Sequence, residues 1–219
     1  MANLKFQHAL RPFVAPALPT ATAMYEQSAT QRMSSILRLY FNQVDSVVGA
    51  LVGPTGGSYL SYPYAAVQRT TDKTFTANTA TQITFDQNDF LNGCANSGLD
   101  GIAVDYYGIY NYQFSVQLRN SDTQIHSAWI WLRVNGVDVA GTGSKFDVIA
   151  KHGGVDGFVI AACNFYVELS PTDTVEMWAA VDNVAVTFDA SAAQTSPFAM
   201  PAIPSVVATL MYVSTPPMA

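Results

Sequence analysis

The stretch IYNYQFSVQLR, residues 109–119, alternates apolar and polar side chains from its second position onward. Successive side chains of a β-strand point to opposite faces, so strict alternation predicts a strand with one buried face and one solvated face. Asn135-Gly136, between two apolar runs, predicts a tight hairpin turn because both residues tolerate positive φ. The residues predicted to share the buried face are Tyr110, Tyr112, Phe114, Val116 and Leu118.

Similar short runs recur through the rest of the chain and predict a mainly β fold, a β-sandwich built from antiparallel strands. Gly and Pro separate these runs, and no long helical pattern lies between them. The predicted strands cover residues 62–68, 82–85, 102–105, 109–118, 125–134, 145–149, 158–169, 174–180, 184–188 and 203–212.

One α-helix is predicted before the strands. Its apolar residues follow a 4-3-4-3-4 spacing, which places them on one stripe of a helix. A helix this short is marginal alone, so the stripe fits a three-helix collar formed by copies of the chain. The alternative is that it packs on its own β-domain. The stripe comprises Met33, Leu37, Tyr40, Val44, Val47 and Leu51.

The chain before the helix reads as an extended arm, because Pro12, Pro16 and Pro19 disfavour a helix. An apolar arm that cannot fold alone is expected to dock on another protein. The sequence therefore predicts three segments: the arm 1–19, the helix 20–53 and the β-domain 54–219. The apolar residues predicted to dock are Leu10, Phe13, Val14 and Leu18.

Four segments together resemble the jelly-roll heads of the complement and tumour-necrosis-factor superfamily. They are residues 108–114, 131–136, 167–175 and 204–210, in the order and spacing of that family. The resemblance covers about residues 59–213 and implies a jelly-roll β-sandwich head in a tight homotrimer, often carried on a stalk. It implies that Tyr110, Tyr112 and Phe114 lie in the trimer interface.

The layout of the whole chain also resembles structural proteins of tailed bacteriophages, particularly the short-tailed ones. The resemblance rests on the arm, the stretch 37–43 and the head around residues 133–136. It implies a virion protein assembled in the host cytoplasm. The segment 190–201, rich in Ala, Ser and Pro, departs from both patterns.

Composition limits the partners. Charged residues form 12% of the chain, about half the usual share of roughly 25%, so much of the surface is expected not to be free surface. The net charge of −6 and the scattered basic residues argue against nucleic acid as a partner.

Gly and Pro break the longest uncharged run, 46–68, which predicts no membrane span. Gln7 and His8 interrupt the N-terminal apolar run, which predicts no signal peptide.

No catalytic or metal site stands out. His126, in a strand-like run, is expected to be a surface or interface residue rather than a base, and His152 lies in a probable turn. Scattered carboxylates select no glycosidase pair. Residues 86–89 could ligate calcium, although a loop turn explains them more simply. Cys163 is expected to be a buried free thiol rather than part of a disulfide with Cys94.

The aromatic residues allow two interpretations. Aromatic faces stack on carbohydrate, which favours a sugar-binding surface, but interface cores are enriched in the same residues. The family resemblance favours a trimer core around the threefold axis. The residues concerned are Tyr62, Tyr64, Phe75, Tyr106, Tyr107, Trp129, Trp131 and Trp178.

The sequence therefore predicts a non-enzymatic, homotrimeric virion protein of a short-tailed phage, without cofactor or metal. As a tail fibre or appendage it would attach to other virion proteins by its arm, and its head would contact a host-surface glycan or protein. The alternative is a capsid decoration protein that stabilises the shell. A cellular carbohydrate-binding module is a third alternative outside the virion.

Overall fold

A computed structural model describes residues 16–18, 24, 26–52, 62–96 and 101–215. The chain divides into two compact units, Met1–Ser61 and Tyr62–Ala219. The predicted boundaries at residues 19 and 53 lie outside the described residues, as do the docking residues Leu10, Phe13 and Val14, so these stay predictions. Leu18 is described: it lies in a stretch without regular secondary structure and its side chain is exposed.

Helix α1 spans Gln27–Val52 in the first unit. The carbonyl oxygen of Glu26 accepts hydrogen bonds from the amides of Ala29 and Thr30, at 3.1 and 3.2 Å, so Glu26 occupies the N-cap position. The described helix lies within the predicted segment 20–53.

The predicted stripe lies on one side of α1. Leu37, Tyr40, Val44 and Val47 are half-buried and Met33 is exposed, while the side chain of Leu51 lies outside the described part. Phe41 and Val48 are exposed and widen the same apolar side.

The second unit contains two antiparallel sheets. Sheet 1 has six strands in the order β10-β6-β13-β1-β3, with β12 also paired to β6, and sheet 2 has seven in the order β4-β5-β11-β7-β8, with β2 paired to β11 and β9 to β7. The strands are β1 (Tyr64–Arg69), β2 (Thr81–Ile83), β3 (Gln87–Asn92), β4 (Cys94–Asn96), β5 (Ile102–Val104), β6 (Gly108–Asn120), β7 (His126–Val134), β8 (Val137–Asp138), β9 (Ser144–Val148), β10 (Gly157–Leu169), β11 (Thr174–Val181), β12 (Val186–Phe188) and β13 (Val206–Ser214).

The chain crosses between the sheets repeatedly after β6. Strands β7, β8 and β9 lie in sheet 2, β10 returns to sheet 1, β11 lies in sheet 2, and β12 and β13 end in sheet 1. The inward side chains of both sheets form one hydrophobic core. The predicted fold class, a β-sandwich with one α-helix, is confirmed.

The Asn135-Gly136 turn joins β7 to β8 as predicted. Both residues have positive φ, 51° and 78°, and Val134 pairs with Val137 across the turn. These backbone angles suit the right-handed twist of the two strands. Every predicted strand overlaps an observed one, whereas β3, β4 and β8 are not predicted.

Candidate subunit interface

The predicted head-interface residues lie inside the sandwich. Tyr110 and Tyr112 are fully buried and Phe114 is 4% exposed. The Tyr110 hydroxyl donates a hydrogen bond to the carbonyl oxygen of Tyr106 at 2.7 Å, and the Tyr110 ring packs edge-on against Tyr212 at a centroid distance of 5.6 Å. All three side chains therefore fill the core of the sandwich, and a contact with a second copy would need side chains that face outward.

The outward face of sheet 1 is poor in charge. On β10, β6, β13 and β1, the outward residues that carry charge are Glu168 and Arg119, near opposite ends of the strands. At the far edge, Asp89 of β3 accepts a hydrogen bond from Gln68 of this face. Arg119 is already paired with Asp156 and Asp189, at 2.6 and 3.2 Å. We call this surface the sheet 1 face; its central residues are Asn111, Gln113, Ser115, Gln117, Val207, Thr209, Met211, Tyr64, Ala66 and Gln68.

The edge of this face is a long apolar strand. Among the described strands β10 pairs only with β6, so one backbone edge of its 13 residues is not hydrogen-bonded to a described strand. Phe158, Ile160 and Tyr166 project from the sheet 1 face and are 51%, 63% and 65% exposed. A long edge strand with exposed apolar side chains promotes association unless it is covered.

A shallow depression of about 200 Å³ lies in the middle of the sheet 1 face. It is lined by Gln113, Phe114, Ser115, Val207 and Thr209. Ser115, Val207 and Thr209 in this lining are smaller than Phe158, Ile160 and Tyr166, which project from the edge strand. Side chains therefore project at the edge of the face, whereas its middle is recessed.

His126 lies between two carboxylates at one end of the sandwich. Its Nε2 lies 2.8 Å from Asp122 Oδ2, and its Nδ1 lies 3.4 Å from Asp182 Oδ1. The His126 hydrogen bond holds the pKa of Asp122 below its usual value. Both ring nitrogens face carboxylates that bind loops together, which suits a structural role. His152 lies in the turn before β10, where its backbone pairs with Val155.

The acidic run at residues 86–89 enters a strand. Asp86 accepts hydrogen bonds from the amide and hydroxyl of Thr70 and from the hydroxyl of Thr71. Asp89 lies within β3 and accepts from Gln68 and Gln87. Within the described ranges, no group of three or more His, Cys, Asp or Glu residues is placed to hold a metal ion.

Both cysteines are free thiols, as expected for Cys163. Cys163 is half-buried rather than buried, and its thiol lies 3.4 Å from the Ser144 hydroxyl. Cys94 is buried, and burial together with the nearby charge of Asp105 raises the pKa of its thiol to about 11. Cys94 belongs to the hydrophobic core. A thiol held in its neutral form is a poor nucleophile.

The remaining aromatic residues do not share one surface. Phe75 is in the core against Phe188, with ring centroids 4.8 Å apart, and Tyr64 lies on the sheet 1 face. Tyr106 and Tyr107 are exposed in the turn before β6. All three tryptophans, by contrast, face outward from sheet 2. The sequence signal for this surface is that they alternate with buried residues along β7 and β11.

No model of a known protein family matches the chain, and no curated protein matches it. The described helix does not combine the length and apolar character needed to cross a bilayer.

Proposed function

We propose that the chain is a non-enzymatic structural protein of a short-tailed phage virion, a homotrimeric tail fibre or appendage. The observation that carries the proposal is the sheet 1 face: charge-poor, bordered by an uncovered apolar edge strand and hollowed at its centre. Interface cores are depleted of charged residues, so this surface fits another subunit better than open solvent. The layout resemblance stated above supports the virion as the place of assembly.

The shape of the sheet 1 face favours a ring over a two-fold dimer. The projecting side chains of β10 would enter the central depression of the next copy, so each copy would use two different surfaces. Such a heterologous contact closes into a ring when its rotation permits. The family resemblance selects three copies. The apolar side of α1 would meet its symmetry mates in a collar, and the arm would dock on other virion proteins.

Measuring the mass in solution tests the assembly. Three chains of 23.6 kDa give about 71 kDa, and we expect that mass by light scattering at micromolar concentration. A single-chain mass under those conditions would contradict the proposal. Copy number in purified particles then separates the two virion roles, because a fibre is present in about a few tens of copies and a capsid decoration protein in hundreds.

Aspartate at Val44 tests the collar. Val44 lies at the centre of the apolar side of α1 and is half-buried. In a three-helix collar the substitution Val44→Asp brings three like charges close to one axis, where repulsion and desolvation act together. We expect a loss of helical circular-dichroism signal with an unchanged sedimentation coefficient.

The matched control for Val44→Asp is Asn42→Asp, which adds the same charge on the opposite, exposed side of the helix. It should keep the helical signal. If Val44→Asp instead lowers the melting temperature of the β-domain, the helix packs on its own subunit and the collar is wrong.

A further inference from the structure

The three tryptophans of the chain, Trp129, Trp131 and Trp178, lie together on the outward face of sheet 2. Trp131 and Trp178 are direct cross-strand neighbours on β7 and β11, and Trp129 faces Ala180 one row further along. Trp129 is 38% exposed and the other two are half-buried. We call this surface the tryptophan face.

Hydrogen bonds fix the ring edges of two tryptophans. Trp131 Nε1 donates to Asp138 Oδ1 at 2.7 Å, and Trp178 Nε1 donates to Glu176 Oε2 at 2.7 Å. Arg133 donates to the same Asp138 oxygen at 2.6 Å, and its guanidinium carbon lies 3.9 Å from the centroid of Trp178. Arg133 therefore covers Trp178, a favourable cation–π arrangement.

Trp129 is the tryptophan with the most open ring. Its cross-strand neighbours are Ala180 on one side and Lys145 on the other. The Lys145 ammonium lies 5.8 Å from the ring centroid and is paired with Asp147 at 3.0 Å. Because Ala180 is small, the surface beside Trp129 is open. An aromatic ring is thus presented next to hydrogen-bonding groups that are already held in place.

The tryptophan face differs from the sheet 1 face in charge. Arg133, Glu176 and Lys145 stand among its rings, whereas a subunit interface core excludes such groups. An amphipathic ligand suits this mixture better than an apolar protein surface. A sugar ring has that character: its C–H face packs on an indole, and its hydroxyls exchange hydrogen bonds with carboxylate, ammonium or amide groups.

We propose that the tryptophan face binds neutral carbohydrate, with a sugar ring stacked on Trp129 over Ala180. The proposal rests on the proposed function, in which the head contacts a host-surface glycan. The cations of the face are paired with carboxylates, Arg133 with Asp138 and Lys145 with Asp147. No unpaired positive charge therefore favours an anionic polysaccharide here, and the neutral class is the better match.

Affinity electrophoresis of the full chain tests the site, with dextran, mannan, galactan or β-glucan in the native gel and alginate as an anionic comparison. We expect at least one neutral polysaccharide to retard the protein and alginate to do so less. Trp129→Ala should weaken that binding about tenfold or more, as truncation of a central aromatic contact does. Trp129→Phe should retain most of the binding.

Phe198→Ala is the matched control, because Phe198 is an aromatic residue on neither sheet face that is more exposed than Trp129, 60% against 38%. Its binding should equal that of the unchanged protein. Absence of retardation by all four neutral polysaccharides would overturn the inference, as would equal losses in the two alanine variants. Trp129→Ala should keep the mass of the assembly; a smaller mass would make the tryptophan face a subunit contact and overturn the site.

The same measurements separate this inference from the proposed function. A protein of about 71 kDa that is present in virions but binds no glycan would overturn the carbohydrate site alone. Retardation lost in Trp129→Ala, in a chain that is absent from virions, would support the site and overturn the virion assignment.

Discussion

Aspartate in place of Ile160 is expected to convert the assembled protein into single chains. Ile160 projects from the edge strand β10 and is 63% exposed in one subunit, so its side chain contributes little to the core. In the proposed ring it would be covered by the next copy, where an unpaired carboxylate is strongly unfavourable. The expected loss is about 2 kcal/mol or more for each contact, and sedimentation velocity at several concentrations measures it.

Val137→Asp provides the control for Ile160→Asp. Val137 is 69% exposed but lies in β8 of sheet 2, away from the sheet 1 face. This variant should keep the assembly and its sedimentation coefficient. At low concentration, where single chains are favoured, both variants should melt within a few degrees of the unchanged protein. An Ile160→Asp protein that remains fully assembled would show that β10 is not a subunit contact.

Alanine at Gly157 is expected to destabilise the β-sandwich itself. Gly157 is the first residue of β10, and a β-carbon there would lie 1.9 Å from the carbonyl oxygen of Ile149 and 2.7 Å from its carbonyl carbon. Both are backbone atoms that cannot rotate away, so the loop before β10 or the strand must shift. We expect the free energy of unfolding to fall by about 3 kcal/mol, at the upper end of overpacking costs.

Urea denaturation measures this loss, and Gly143→Ala is its control. A β-carbon at Gly143 meets no atom within 4 Å, so that variant should unfold at the same urea concentration as the unchanged protein or slightly above it. Equal midpoints for the two alanine variants would mean that the approach of Ile149 to β10 is looser than the structure indicates.

The two outward faces of the sandwich differ in composition. The sheet 1 face carries little charge, whereas on sheet 2 the tryptophan rings lie beside charged or hydrogen-bonding groups. Ile160→Asp acts on sheet 1, and the carbohydrate test acts on sheet 2. Their results can therefore be interpreted separately, because substitutions on opposite sheets share no contact residues.

Much of the β-domain could be predicted from local patterns. Period-two alternation placed Tyr110, Tyr112 and Phe114 on the same side of one strand, and the Asn135-Gly136 turn was predicted from residue types that tolerate positive φ. Strand β3 was missed because its sequence, residues 87–92, is largely polar and does not alternate. Its strand conformation depends on pairing with β1, a partner remote in sequence.

Local patterns also leave the candidate sites only partly predicted. Alternation puts Trp129 and Ile130 on opposite sides of β7, but both are apolar, so the pattern alone does not say which side meets the core. The burial of Ile130 and the exposure of Trp129 follow from the position of sheet 1 against one face of sheet 2.

The sequence by itself determined the local features of this protein: one helix with an apolar side, many short strands, a hairpin turn and the alternation of each strand. Only the tertiary structure decided that Tyr110, Tyr112 and Phe114 belong to the core of the sandwich and that Phe158, Ile160 and Tyr166 are exposed. The physical reason is that a side chain's direction is a local property of its strand, whereas its burial depends on which distant strands cover that face.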